Sequence, residues 1–416
     1  MEIHAAGLKA LESWSGTRID LSTLAAFDPQ DLWTTALGVR TKERFYQNRL
    51  SGKIGAVVFG SMDWFFPQFA RHLAHLQPRV YPIVIAQTLL LLGLAEREKQ
   101  TLLHAHGSDF LGLIRSLSVN PHGARKFHGW GHGFVWMSKN GLYEADMPVV
   151  THLPYVMEAL LLLAAVPRHE VEGKEIFDDT WPFLESLPVM HDAGDELALA
   201  YAAKPEPWIV VNANTYAAYA YALHQTYGHA SRRHTAREKC RRMVQWVARR
   251  QNGDGSWNYY HAEQFSGNFI DCFHSCFTIK NLIKIGRIFP EMRELIDPVV
   301  ACGMVFLRDN MFDHQAGLCR RFVIRSQTDP FRWDLYDQAE YMGLLVDLDL
   351  LDEAEQLRAT VERIFFDGQH WYCRIDLLGR RWGKNFLRWG IMPFLYQRAK
   401  LIDKQQQRSR RAPYGE

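Results

Sequence analysis

Two short segments pair an acid with a second titratable side chain three positions later. Asp271 is followed by His274, and Asp334 is followed by Asp337. Residues three apart share one face of a helix, so the members of each pair can act together. A carboxylate beside an imidazole is suited to acid–base catalysis near neutral pH. These pairs predict catalytic residues, and the competing interpretation is that the acids only cap helices.

The same acids leave two kinds of reaction open. Glycoside hydrolysis uses two carboxyl groups about 5–10 Å apart, a distance that Asp271 and Asp334 could meet across a ring of helices. Proton abstraction next to a carboxylate instead uses a histidine or tyrosine beside an arginine. The sequence does not choose between hydrolysis, elimination and epimerisation.

Aromatic, amide and basic side chains accompany the acids. Sugar rings stack their apolar C–H faces on aromatic rings, while arginine and asparagine reach hydroxyl or carboxylate oxygens. Helix N-termini that meet at one mouth add positive potential and favour an anionic sugar. Core packing is the alternative for any single tryptophan. As a set, we expect a carbohydrate cleft lined by Trp130, His132, Trp136, His152, Asn212, Asn214, Trp257, Tyr260, Tyr336, Arg388 and Trp389.

Two cysteines beside His274 raise the question of zinc. Cys272 and Cys276 share one helical face, but His274 lies far around the helix and no second Cys/His motif is present. We therefore expect neither a metal nor another cofactor. The turn at 251–257 also resembles the repeats of triterpene cyclases, but the sequence has no Asp-rich acid motif of that class.

The polar segments recur along the chain. Helices are predicted to begin near Thr151, Asn212, Asp271, Asp334 and Asn385, which are 61, 59, 63 and 51 residues apart. Apolar runs follow these starts, and charged amphipathic helices lie between them. Repetition of one unit predicts a stacked architecture whose polar helix starts meet at one face.

Extending the period backwards adds a sixth inner helix. Six helical hairpins in a ring form an all-α (α/α)6 toroid, here with short β-hairpins in its loops. The toroid is expected over residues 66–402, after an N-terminal extension or partial seventh hairpin (1–65) and before a disordered tail (403–416). The predicted inner helices are 82–96, 151–166, 212–227, 271–287, 334–346 and 385–400.

Composition excludes several other classes. The chain has 416 residues, a net charge of +2 and a pI of about 8.2, which is too balanced for a nucleic-acid binder. Its most apolar run, 83–95, is shorter than the ~20 residues of a membrane-spanning helix. Six scattered cysteines and the lack of a secretory signal predict a cytoplasmic protein with reduced thiols.

Several ordered blocks of the sequence resemble one family, the proteins encoded in bacterial capsule and exopolysaccharide clusters, which have a six-hairpin glycosidase-like toroid. The resemblance covers roughly residues 28–398, and His132, Cys272 and Cys276 depart from the residues usual in the family. The blocks are Gly129–Trp136, Asp146–His152, Asn212–Asn214, Gln251–Trp257, Asp271–His274, Trp333–Gln338 and Arg388–Trp389.

The resemblance implies a role with bacterial surface polysaccharide. We therefore expect an enzyme that processes such a glycan, containing uronic or other anionic sugars, with Asp271, His274, Asp334 and Asp337 as catalytic residues. Its partners would be a polysaccharide or oligosaccharide and the polysaccharide assembly machinery. The alternatives are a non-catalytic glycan-binding or scaffold protein and a protein resembling terpenoid cyclases or prenyltransferases.

Overall fold

The structure, a computed structural model, describes residues 24–95, 101–119, 129–261, 268–323 and 330–411. Its helices are α1 Ala36–Tyr46, α2 Leu50–Phe65, α3 Pro67–Leu73, α4 Pro82–Ala95, α5 Thr101–Ser116, α6 Leu153–Ala164, α7 Glu170–Asp178, α8 Trp181–Ser186, α9 Val211–Tyr227, α10 Arg233–Ala248, α11 Cys272–Ile288, α12 Arg293–Phe306, α13 Leu335–Asp347, α14 Leu351–Phe365 and α15 Met392–Arg411.

Six of these helices form a closed inner ring. The order around the ring is α4, α6, α9, α11, α13 and α15, and α15 packs back against α4. The first five of these helices are apolar on most sides and most of their residues are buried, as expected for helices covered all round, whereas α15 is buried mainly over its first half. The predicted (α/α)6 toroid is therefore confirmed, with five inner helices within two residues of their predicted starts.

Outer helices cover the ring and have only one apolar face. In α10, Cys240, Met243 and Val247 are buried against the ring, while Glu238 and Arg241 on the other side are exposed. The outer helices α5, α7, α10, α12 and α14 each follow an inner helix in the chain. Alternation of an apolar and an amphipathic helix thus builds the two layers.

The last inner helix begins later than predicted, at Met392 instead of residue 385. Residues 387–391 form a tight turn in which Trp389 and Gly390 have non-helical backbone angles. Gly390 has φ of 90°, and a Cβ there would lie 2.7 Å from the backbone nitrogen of Tyr336. Only glycine permits this approach to α13, and the turn places Arg388 and Trp389 at the mouth of the ring.

The loops carry short antiparallel strands, as predicted, and an additional helical hairpin lies before the ring. This hairpin consists of α1 and α2. At the other end, where a disordered tail is expected over 403–416, α15 continues to Arg411, and residues 412–416 lie outside the described residues. No described helix is both long and apolar enough to cross a membrane. The strands are β1 Ala25–Ala26, β2 Arg79–Val80, β3 Trp136–Ser138, β4 Gly141–Tyr143, β5 Val189–Ala193, β6 Glu196–Leu199, β7 Ile209–Val210, β8 Tyr260–His261, β9 Phe312–Asp313, β10 Leu318–Cys319, β11 Phe331–Asp334, β12 Tyr372–Asp376 and β13 Arg381–Lys384.

Candidate active site

A cavity of about 340 Å³ lies where the first turns of the six inner helices meet. Its volume falls in the range of roughly 300–1,000 Å³ found for small-molecule sites. Every inner helix contributes to its wall at or just before its start, through Ile83, His152, Asn212, Asp271, Tyr336 and Arg388. The polar helix starts therefore meet at one face, as the repeat predicted.

Asp271 and His274 form a hydrogen-bonded dyad in this cavity. Nδ1 of His274 lies 2.8 and 2.7 Å from the two carboxylate oxygens of Asp271, which is buried. The Asp271 side chain makes no capping bond to the first turn of α11, so the capping interpretation does not apply to it. With Nδ1 held by the carboxylate, Nε2 of His274 is the ring nitrogen left for a substrate.

A second pair of histidines, His132 and His152, lies in the same cavity, with ring centres 5.0 Å apart. Nδ1 of His152 lies 3.1 Å from the carbonyl oxygen of Gly131, which fixes the proton on Nδ1. Burial, aided by the charge of Arg388, lowers the pKa of His152 to about 3, and burial likewise lowers the pKa of His132 well below its usual value. Both rings are therefore neutral near pH 7.

Arg388 supplies a buried positive charge to the cavity. Its Nε donates a 2.6 Å hydrogen bond to Asp28, a fully buried residue from the segment before the ring. Arg71 donates to the carbonyl of Asp28 and so fixes that segment in turn. The N-terminal segment therefore holds Arg388 in place, and it also brings Gln30 and Tyr46 into the cavity wall.

Asp334 has a supporting role instead of the expected catalytic one. Its carboxylate caps α13 at the Tyr336 amide and accepts hydrogen bonds from Arg321, Arg374 and the Trp389 indole. These partners occupy both oxygens, and Asp334 does not line the cavity. It positions Arg321 and Trp389, which do line it.

Asp337 and Asn214 are also turned away from the cavity. Asp337 accepts a hydrogen bond from the Phe273 amide at the start of α11, so it caps a neighbouring helix. Burial, with Cys272 and Asp334 nearby, raises its pKa well above the usual value. Asn214 bonds the backbone of Leu199 in β6. Both residues join elements instead of facing a substrate.

The predicted tryptophans divide between core and cavity. Trp130 donates to the Ile114 carbonyl and Trp257 donates to the Val247 carbonyl, and both are buried outside the cavity wall. Their indoles hold loops against outer helices, which is a packing role. The predicted residues that do line the cavity are His132, Trp136, His152, Asn212, Tyr260, Asp271, His274, Tyr336, Arg388 and Trp389.

Several cavity residues escaped prediction. Tyr155 and Tyr216 lie on inner helices one turn after His152 and Asn212, so the helical repeat could have identified them. Tyr201, which bonds Thr151 and approaches His132, comes from a loop and carries no such signal. Arg321 also lies in a loop, with its guanidinium 5.5 Å from the Trp389 ring centre.

The cavity wall is rich in aromatic rings and contains two arginines, each paired with an acid behind the wall, Arg388 with Asp28 and Arg321 with Asp334. Among the described residues that line it, Asp271 is the only acid, whereas Arg321 and Arg388 are both basic. Nδ1 of His132 and Oδ1 of Asn212 are buried without a hydrogen-bond partner among the described residues. No cluster of three or more His, Cys, Asp or Glu side chains in the described ranges is placed to hold a metal.

Solved structures share this fold at low sequence identity. A sugar epimerase from a ruminal bacterium is 11% identical, with 80% of this chain and 90% of that chain covered and a TM-score of 0.57. Cellobiose 2-epimerase from Spirochaeta thermophila is 13% identical, with 79% of this chain and 86% of that chain covered and a TM-score of 0.57. The GH76 alpha-mannanase of Bacteroides thetaiotaomicron is 10% identical, with 80% of this chain and 88% of that chain covered and a TM-score of 0.52. These likenesses support the toroid fold, and no family model or curated relative matches the chain.

Proposed function

We propose that this protein is a carbohydrate-processing enzyme that moves a proton at a sugar carbon next to a carbonyl or carboxylate group. The observation that carries the proposal is the Asp271–His274 dyad, because its imidazole faces a cavity of sugar size. A buried carboxylate on Nδ1 holds the ring in the tautomer whose Nε2 can accept a proton.

The remaining wall of the cavity suits such a reaction. Nε2 of His274 would take the proton from carbon, and the electron pair of the broken C–H bond would pass to the carbonyl or carboxylate oxygen. Arg321 and Arg388 would stabilise that oxygen as its negative charge grows. Return of a proton to the opposite face gives the epimer, and a hydroxyl of one of the tyrosines that line the cavity would donate it. The proton on His274 would then pass through water to the tyrosinate, which restores both groups.

Hydrolysis is less well supported by the geometry. A glycosidase needs two carboxyl groups that face the substrate, but Asp271 is the only acid among the described lining residues, and it is engaged with His274. Elimination shares the first step of epimerisation and is a related outcome. Two structures that share the fold are named as a sugar epimerase and a cellobiose 2-epimerase, which supports this reaction class.

The substrate is proposed to be an anionic saccharide of a bacterial surface polysaccharide, such as a capsule or exopolysaccharide. Arg388 bonds Asp28 through Nε and Arg321 bonds Asp334 through one guanidinium nitrogen, and their remaining nitrogens would bind a carboxylate on the sugar. Trp389, Tyr336 and Trp136 offer apolar faces for the sugar ring. The unpaired Oδ1 of Asn212 would accept a hydrogen bond from a sugar hydroxyl.

Solvent exchange tests the proposal. The protein is incubated in deuterated water with oligosaccharides that contain uronic acids and with neutral reducing disaccharides, and NMR follows deuterium at the carbon next to the acidic or carbonyl group. We expect exchange with a change of configuration, and a loss of roughly 10²–10⁴-fold in His274→Asn. The exposed His314→Asn is the matched control. Chain cleavage without exchange would contradict the proposal, and binding without exchange would indicate a glycan-binding protein.

A further inference from the structure

The helices before the ring expose an apolar surface. Along α2, Leu50, Ile54, Val57 and Phe65 are spaced 4, 3 and 8 residues apart and therefore share one helical face. Their side chains are strongly exposed, with 72% for Leu50 and 68% for Val57. Phe66, Phe69 and Leu73 continue the apolar surface over α3. We call these seven residues the apolar stripe.

The opposite face of α2 packs against α1, so the helix that carries the stripe is held firmly in the fold. A Cβ on Gly52 would lie 2.2 Å from the backbone nitrogen of Phe45, and a Cβ on Gly55 would lie 2.8 Å from Thr41. The glycines thus let α2 approach α1 closely while the stripe stays outside. Over its 16 residues the helix is about 24 Å long, so the stripe is a long continuous surface.

The same region is basic. Residues 35–80 carry seven lysines and arginines against two acids, a net charge of +5, although the whole chain has only +2. One of the two acids, Asp63, is buried in an ion pair with Arg71. Lys53 flanks the stripe on α2, and Arg40, Arg44 and Arg49 are exposed on the same hairpin.

We propose that the apolar stripe and its basic neighbours form a surface that binds anionic lipid membranes. A helix that lies in a membrane interface buries an apolar face among the acyl chains and keeps basic residues near lipid head groups. A second copy of the chain is a poorer occupant, because two-fold packing would bring the basic residues of both copies together. Since Tyr46 of α1 lines the cavity, binding through this hairpin would hold the cavity close to the membrane surface.

Sedimentation with lipid vesicles tests this surface. We expect the full chain to bind vesicles that contain phosphatidylglycerol, to bind phosphatidylcholine vesicles less, and to be released by salt. The double variant Ile54→Gln/Val57→Gln should bind about tenfold or more weakly, since it removes two side chains that enter the apolar layer. Val171→Gln, which changes an exposed valine on α7, is the matched control.

Three results would overturn the proposal. The first is that the full chain binds neither type of vesicle, and the second is that the double variant binds as well as the full chain. The third is that the full chain is a dimer by light scattering and the double variant a monomer, without any difference in vesicle binding; the stripe would then be an interface between copies. The test is independent of the proposed catalysis, because His274→Asn should bind vesicles like the full chain.

Discussion

At the residue scale, the acids differ in whether their carboxylate can act on a substrate through a cavity residue or is used only in structural hydrogen bonds. The Asp271 carboxylate bonds one imidazole that faces the cavity. Asp334 instead has four hydrogen-bond partners, and Asp337 caps a neighbouring helix. From sequence the two acid pairs looked equivalent, because spacing reports which residues share a face but not which groups come from other helices. Partners such as Arg374, forty positions from Asp334, cannot be read from local spacing.

Asp271→Asn tests the role of the dyad. An amide in this position would present its NH2 group to the imidazole and favour the wrong tautomer, so Nε2 could no longer accept a proton. We expect kcat for proton exchange to fall roughly 10²-fold or more, with little change in KM and in unfolding free energy. Asp309→Asn on the outer layer is the control. Equal loss of binding and turnover would instead assign Asp271 to substrate binding.

Buried histidines give the fold a defined sensitivity to acid. Burial, with Arg232 nearby, lowers the pKa of His224 to about 3, from an ordinary value of 6.5. The folded state therefore keeps this ring neutral while the unfolded chain takes up a proton. The stabilising contribution is fully present above about pH 6.5 and is lost as the pH falls from there towards about 3, by about 1.4 kcal/mol per pH unit.

His224→Gln removes this sensitivity at a site remote from the cavity, and glutamine can still bond Thr180, the partner of Nε2. Urea unfolding measured between pH 6.5 and 4 should give a shallower pH dependence for His224→Gln than for the unchanged chain. His314→Gln, at an exposed position, should leave the slope unchanged. Equal slopes for all three proteins would show that His224 does not remain neutral in the fold.

At the element scale, the repeat predicted most of the positions that matter. Five inner helices begin within two residues of their predicted starts. A helix that is covered on all sides is a long apolar run, and such runs recur at a nearly constant spacing in the sequence. The sixth inner helix was predicted to begin too early because a turn precedes it. That turn depends on Gly390, which has a positive φ and allows the backbone to lie close to α13. A close contact between distant elements leaves no periodic signal, and loop residues such as Arg321 and Tyr201 were missed for the same reason.

Asp337 tests whether one inner helix caps the next. Asp337→Ala would leave the Phe273 amide without its acceptor and should lower the free energy of unfolding by roughly 1–3 kcal/mol. Asp337→Asn keeps an oxygen at this position and should cost much less. Urea denaturation measures both, with Asp309→Ala as a surface control. Normal stability together with lost turnover in Asp337→Asn would restore Asp337 as a catalytic residue.

At the scale of the whole molecule, one buried ion pair lies beneath the cavity and joins three inner helices. Lys280 of α11 donates 2.6 Å hydrogen bonds to Glu340 of α13 and to the Tyr155 hydroxyl of α6. The pair is almost fully buried. Tyr155 lines the cavity and also approaches the Tyr216 hydroxyl of α9, at 3.1 Å. The ring is therefore joined across its centre by polar contacts as well as by packing between neighbours.

Removing one member of this ion pair should lower the free energy of unfolding strongly, whereas replacing both members by apolar residues should lower it little. Lys280→Met leaves Glu340 charged and buried without its partner and should destabilise the fold by about 3–5 kcal/mol in urea unfolding. Lys280→Met/Glu340→Leu removes both charges and should recover most of that stability, because an apolar pair of similar volume needs no compensation. If the double variant is folded and still exchanges protons, the pair only supports the cavity floor. A double variant as unstable as Lys280→Met would contradict this assignment, since the cost could not then come from the unpaired charge.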